Sequence, residues 1–179
     1  MSRICLAAGA SAALYKACDL ASMLAQEGHE VRTVLTPRAA ELVSAQLFEA
    51  LTGEPAHTDE FGAARTRGMD HIDLAAWSEA FLVAPASADL VARLALGLAG
   101  DLVGTVALAL APDVPRLVCP AMNPNMLASP PTGRHLATLR ADGWHVLEPG
   151  QGHLACGVSG PGRMGEPPEI VAALRELLG

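Results

Sequence analysis

The chain has 179 residues, of which 51% are hydrophobic and 3% aromatic, and a formal net charge of −7 at pH 7. That length suits one domain spanning residues 1–179, with a core of Ala, Leu and Val of the kind that packs helices on a parallel sheet. With 12 Lys and Arg against 19 Asp and Glu, and no basic cluster, the balance argues against a nucleic-acid or anionic-membrane partner but leaves room for a small anion held by backbone dipoles.

Cys5, Cys18, Cys119 and Cys156 form no C-x-x-C pair and no disulfide-like framework, which points to a reducing cytoplasm. The first apolar run, residues 4–8, is too short for the h-region of a signal peptide.

In chain order, short aliphatic runs at 4–8, 31–35, 81–84, 117–119 and 144–147 predict strands. Between them, 12–27 predicts a helix closed by Gly28, and Ser87 caps another running to about Leu98. Further helices are predicted over 132–141, closed near Gly143, and over 168–178, with proline in the first turn. Residues 90–111 are apolar enough to raise a membrane span. Arg93, Gly97, Gly100, Asp101 and Gly104 interrupt them, and the stretch reads as buried helix. Residues 52–68 read as a loop. Strand and helix alternating in this way predict an α/β fold, a three-layer doubly wound parallel sheet of flavodoxin-like or Rossmann-like form.

Such sheets bind ligands beyond the carboxyl ends of their strands, where the chemistry-bearing residues of this chain gather. Gly9, Ala10, Ser11 and Ala12 follow the first strand as a small-residue turn into a helix, suited to a phosphate or equally to close packing. Thr36 follows the second strand, Ser87, Ala88 and Asp89 the third, and Ala121 to Asn123 the fourth. Asn123 suits a carboxylate or a flavin edge, or simply caps the next helix. His71 falls near the rim of the same crevice, although most lone histidines are structural. Residues 152–167 set Cys156 and Arg163 among five glycines, a composition that lets a loop close over a ligand or lie idle at the surface. His153 and Cys156 have no second pair to complete a metal site, no G-x-S-x-G elbow follows a strand, and no dinucleotide glycine fingerprint is present.

Residues 7–16 (AAGASAALYK), 71–72 (HI) with 85–93 (PASADLVAR), 120–126 (PAMNPNM), and 155–157 (ACG) with 160–164 (GPGRM), in that order, resemble the flavin-containing cysteine decarboxylases. The resemblance covers nearly the whole chain. Within the family it is greatest to the bacterial phosphopantothenoylcysteine decarboxylases, without their synthetase domain. It implies FMN at the subunit interfaces of a homotrimer, sometimes assembled into a dodecamer, and a phosphorylated cysteine conjugate as substrate.

Carried over by position, Gly9, Ala10, Ser11, Ala12, Thr36, Ser87, Ala88, Asp89, Leu90 and Ala121 would bind FMN. His71 would act in catalysis, and Cys156 would donate a proton from a closing flap. Asn123 would hold the substrate carboxylate, with Met126, Ala155, Gly157, Arg163 and Met164 beside the substrate. The implied reaction oxidises the cysteine thiol, expels CO2 and re-reduces the resulting enethiol, with FMN unchanged over the cycle.

Three positions depart from the family pattern: the first turn reads Gly-Ala-Ser, Leu127 stands where tryptophan is usual, and Val158 stands where aspartate usually follows A-C-G. They leave two other readings in view: an oxidative decarboxylase of a C-terminal peptidyl cysteine, and a non-catalytic FMN-binding regulatory subunit.

Overall fold

The aliphatic runs become strands of a parallel sheet, because a strand covered by helices on both faces needs apolar side chains at nearly every position. The computed structural model describes residues 1–60, 69–155 and 157–179. Its main sheet contains β1 (Arg3–Ala8), β2 (Glu30–Leu35), β3 (Ala56–His57), β4 (Ala80–Ala86), β5 (Arg116–Pro120) and β6 (His145–Val146). The order is β3-β2-β1-β4-β5-β6, and every neighbouring pair is parallel. Leaving aside the two-residue β3, this is the flavodoxin-like order of a doubly wound sheet. The chain moves outward from β1, then returns to its other side at β4, so the topological switch point lies between these two central strands.

Alternate residues of each strand feed two cores. On one face Ile4, Leu6 and Ala8 pack with α1 (Leu14–Gln26), α3 (Ala45–Thr52) and α9 (Pro167–Leu178); a four-residue α2 (Pro37–Ala40) precedes α3. On the other, Cys5 and Ala7 pack with α4 (Asp70–Trp77), α5 (Ala88–Ala95), α6 (Leu102–Ala109) and α8 (Pro130–Ala141). Helix α1 docks through Leu14, Ala17, Leu20, Ala21 and Leu24, an apolar stripe at helical spacing. Each fully buried leucine of such a stripe contributes about 1.5–3 kcal/mol.

The predicted strands and the four predicted helices are all present, with small shifts at their ends. Three expectations change. Residues 90–111 are not one buried helix: α5 ends at Ala95, Gly97 turns left-handed (φ +64°), and the Asp101 carboxylate accepts from Gly104 N at 3.1 Å to start α6. The stretch read as a loop, residues 52–68, contains β3, which pairs with β2, while its residues 61–68 lie outside the described residues. The glycine-rich stretch is an antiparallel hairpin of β7 (Gly150–His153) and β8 (Ser159–Arg163), although glycine and proline are poor strand formers. No helix among the described residues is long and apolar enough to cross a membrane.

Candidate active site

Two adjoining cavities, each of about 430 Å³, open at the carboxyl ends of β1, β4 and β5. They share Ala10, Ser87, Ala88 and Met126 and so form one cleft beside the switch point. The first cavity is also lined by Ser11, Ala12, Ala121, Asn123, Ala155, Arg163 and Met164, the second by Thr36 and Asp89. The turns after β1, β2, β4 and β5, the residues before α6 and one hairpin supply the cleft.

Side-chain hydroxyls brace the turns, those of Thr36 and Ser87 as helix caps. Ser11 Oγ accepts from Ala13 N at 3.2 Å, Thr36 Oγ1 from Ala39 N at 3.2 Å, and Ser87 Oγ from Leu90 N at 3.3 Å. The starts of α1 and α5 border the cleft at Ala13 and Ala88, and a helix start favours negative charge nearby. Gly9 and Leu90 line neither cavity. Gly9 N donates to Pro85 O at 2.9 Å, and a Cβ there would stand 2.9 Å from Leu90 Cδ2, so both residues lock the turn after β1 against the turn after β4.

Asn123 caps the short α7 (Pro124–Leu127), its Oδ1 accepting from Asn125 N at 2.8 Å. The capping role weighed from sequence is therefore real, and it fixes the side chain at the cavity wall. The hairpin leans on this same loop: Met122 N donates to Gly162 O at 3.0 Å. Gly162 has φ +120°, and a Cβ there would fall 2.1 Å from Met122 O, so only glycine permits this approach.

At the base of the hairpin, Arg163 Nη2 and Lys16 Nζ both reach Glu166 Oε1, at 2.6 and 2.9 Å. The Lys16 hydrogen bond is the main cause that holds the Glu166 carboxyl below its usual range, helped by the charges of Lys16 and Arg163. Lys16 is 4% exposed, lines the first cavity and also donates to Met164 O at 3.3 Å. Sequence reasoning assigned it no role. The signal was present: Lys16 shares a helical row with the buried Leu20 and Leu24, and a lysine on a core stripe needs a partner. Tyr15, Arg38 and Arg93 are further lining residues not singled out from sequence.

His71 lies on α4 facing the Glu60 carboxylate and lines neither cavity. Gly157, with φ +82°, donates to Leu154 O at 2.9 Å in the hairpin turn, also off the cavity walls. Cys156 lies outside the described residues. Burial pushes the Cys5 thiol up to about 12 and Cys119 higher still, which makes both poor proton donors or nucleophiles at neutral pH. Among the described residues no group of three or more His, Cys, Asp or Glu is placed to hold a metal ion.

Comparison with known proteins gives a consistent picture. The Flavoprotein family matches residues 1–179. The coenzyme A biosynthesis bifunctional protein CoaBC of Bacillus subtilis is 39% identical over 168 residues, covering 94% of this chain and 40% of that protein. That of Haemophilus influenzae is 41% identical over 164 residues, 92% of this chain and 40% of that one. The chain thus spans about two fifths of the length of these curated relatives. Among solved structures, a cysteine-to-serine mutant of PPC decarboxylase complexed with pantothenoylaminoethenethiol superposes with a TM-score of 0.89 at 31% identity, over 98% of this chain and 97% of that one. The FMN binding protein AtHal3 superposes with a TM-score of 0.85 at 33% identity, over 98% and 95% of the two chains. With its whole length matched and its fold, switch-point cleft and hairpin in place, the chain belongs to the Flavoprotein family.

Proposed function

We propose that this chain is an FMN-dependent decarboxylase that converts phosphopantothenoylcysteine to phosphopantetheine in coenzyme A biosynthesis. The observation that carries this reading is the convergence on one cleft of the Ser11 and Ser87 turns, the Asn123 loop and the glycine hairpin. The likeness to PPC decarboxylase and to the CoaBC proteins supports it.

The cleft fits FMN by size and chemistry. Its cavities fall within the range of cofactor sites, the ends of α1 and α5 suit a phosphate, and Ala10, Ala12, Ala88, Ala121 and Met126 offer an apolar slot to a flat ring. When bound, FMN supplies the two-electron oxidation of the substrate thiol and the later return of hydride.

The chain's own residues do the rest. Asn123 holds the substrate carboxylate, its side chain pre-oriented by the α7 cap. Met126, Ala155 and Met164 cover the substrate, while Arg163 and Gly157 belong to the hairpin that shuts water out. Cys156, which falls between β7 and β8 in the sequence, gives a proton to the carbon that receives hydride.

His71 acts as base or orienter of the thiol. Because it lies off the cleft of its own chain, we place it at the cleft of a neighbouring copy in a homotrimer, with trimers assembling further into a dodecamer. Residues 1–179 act as one domain, and a cytoplasmic location accords with cysteines that form no disulfide framework.

The test is the product mass after incubating the flavin-loaded protein with phosphopantothenoylcysteine. Loss of CO2 alone is expected. The half-exposed Val158 of the hairpin favours a second reading, oxidation of a peptidyl C-terminal cysteine. Loss of CO2 plus two hydrogens would support it, and absence of any turnover would indicate a binding subunit instead.

A further inference from the structure

Beside the cleft, with which it shares Arg93 as a wall, another cavity of about 250 Å³ opens between α5, α6 and the start of β5. Leu98, Leu108 and Trp144 form its apolar walls, and Arg93, Arg116 and Asp142 its charged ones. Arg116 and Val118 share a strand face, the one that packs on α5 and α6, which directs the Arg116 side chain toward this cavity.

The environment of Arg116 is incomplete. Its Nη2 donates to Ala111 O at 3.1 Å, while Nε is buried with no hydrogen-bond partner. Among the described residues no carboxylate forms an ion pair with it. A guanidinium is always charged and carries five donors in a planar fork, so with Nε closed off it is the donors of Arg116 facing the cavity that suit an oxyanion.

The other charges set the kind of anion. Arg93 is already engaged by Asp89 at 3.0 Å and Asp101 at 2.7 Å. Asp142 adds a negative charge to the wall, which favours a single negative charge over a dianion. The walls are fixed by close packing: a Cβ on Gly104 would lie 2.5 Å from Leu98 O, so α6 and the turn after α5 touch through glycine. Leu98 and Leu108 are 50% and 60% exposed at the rim, ready to cover an apolar tail.

We propose that this cavity binds a small monocarboxylate with a short aliphatic tail, its carboxylate on Arg116 and its tail under Leu98, Leu108 and Trp144. The site adjoins the cleft through Arg93 but does not rest on the activity proposed for the cleft.

The test is calorimetric titration of sodium butyrate into the full-length protein with its cofactor, at ionic strength held constant with chloride. Saturable 1:1 binding is expected, with inorganic phosphate binding more weakly. Arg116→Met should weaken butyrate binding at least about tenfold through loss of the charged hydrogen bonds. Leu108→Glu, a change on the exposed rim that leaves the core intact, should weaken it by a similar factor through charge repulsion, and Leu108→Gln should not. Absence of saturable binding, or equal binding by the Leu108→Glu variant, would overturn the site even if Arg116→Met failed to fold. Tighter binding of phosphate than of butyrate would overturn the assignment to a monocarboxylate.

Discussion

Strand β4 and the β7–β8 hairpin are both lines of extended backbone at the same cleft, yet they are held in opposite ways. All seven residues of β4 are buried, between strands β1 and β5 and under helices on both faces. In the hairpin strands only Gly162 is buried. The first is fixed by packing spread over many side chains. The second hangs on a few points: Gly162 on Met122, Gly160 against Pro124, and Glu166 between Lys16 and Arg163. Elements with few buried contacts open at low free-energy cost, which suits a cover over a cleft and would be ruinous in a central strand.

Substitutions in the two regions should therefore separate stability from turnover. Leu82→Ala in β4, where Leu82 is fully buried, should lower unfolding stability by about 3 kcal/mol in urea titrations and leave substrate KM unchanged in the folded fraction. A loss below about 1 kcal/mol would mean that the sheet relaxes around the cavity.

Gly162→Ala should do the reverse. Displacing the hairpin by the clash with Met122 O should cut turnover about a hundredfold, while the urea midpoint stays close to that of the parent. Asn123→Asp should raise KM at least about tenfold by placing like charge against the substrate carboxylate, with flavin retained by absorbance. Unchanged KM would remove Asn123 from its assigned place.

The smallest effect is electrostatic. The folded-state value of Glu166 is lowered, so its contribution to stability is full above the ordinary carboxylate range and fades as pH falls through that lowered value. Between pH 7 and pH 3 the parent should lose more stability than Glu166→Gln, by no more than about 1 kcal/mol, because the carboxylate is nearly half exposed and screened by water. Melting curves across that range test the sign.

The same contrast explains what the sequence disclosed. The apolar run of β4 was legible because burial on both faces leaves an unbroken signal. The hairpin was legible as a ligand-side segment by its glycines and Cys156, but not as paired strands, since Gly-Gln-Gly-His and Ser-Gly-Pro-Gly-Arg carry no alternation. Gly9 could not be divided between anion binding and packing from composition, because the deciding contact comes from Leu90, far along the chain. Lys16 was legible in principle, as a charge on an apolar stripe. Its partners Met164 and Glu166 are not, since 148 and 150 residues separate them from it. The break in residues 90–111 was signalled by Gly97 and Asp101, residues that stop one helix and start the next.

The pairing of β1 with β4 also sets a clock. Arg3 N donates to Glu79 Oε2 across 76 residues, so the central strand of the sheet gains its second neighbour only after that much further chain exists. At about 5–20 residues per second of synthesis, β1 waits roughly 4–15 s on the ribosome with one side unpaired. Early β1–α1–β2 folding buries one face of those two strands during that interval, while the adhesive edge of β1 stays open until β4 arrives.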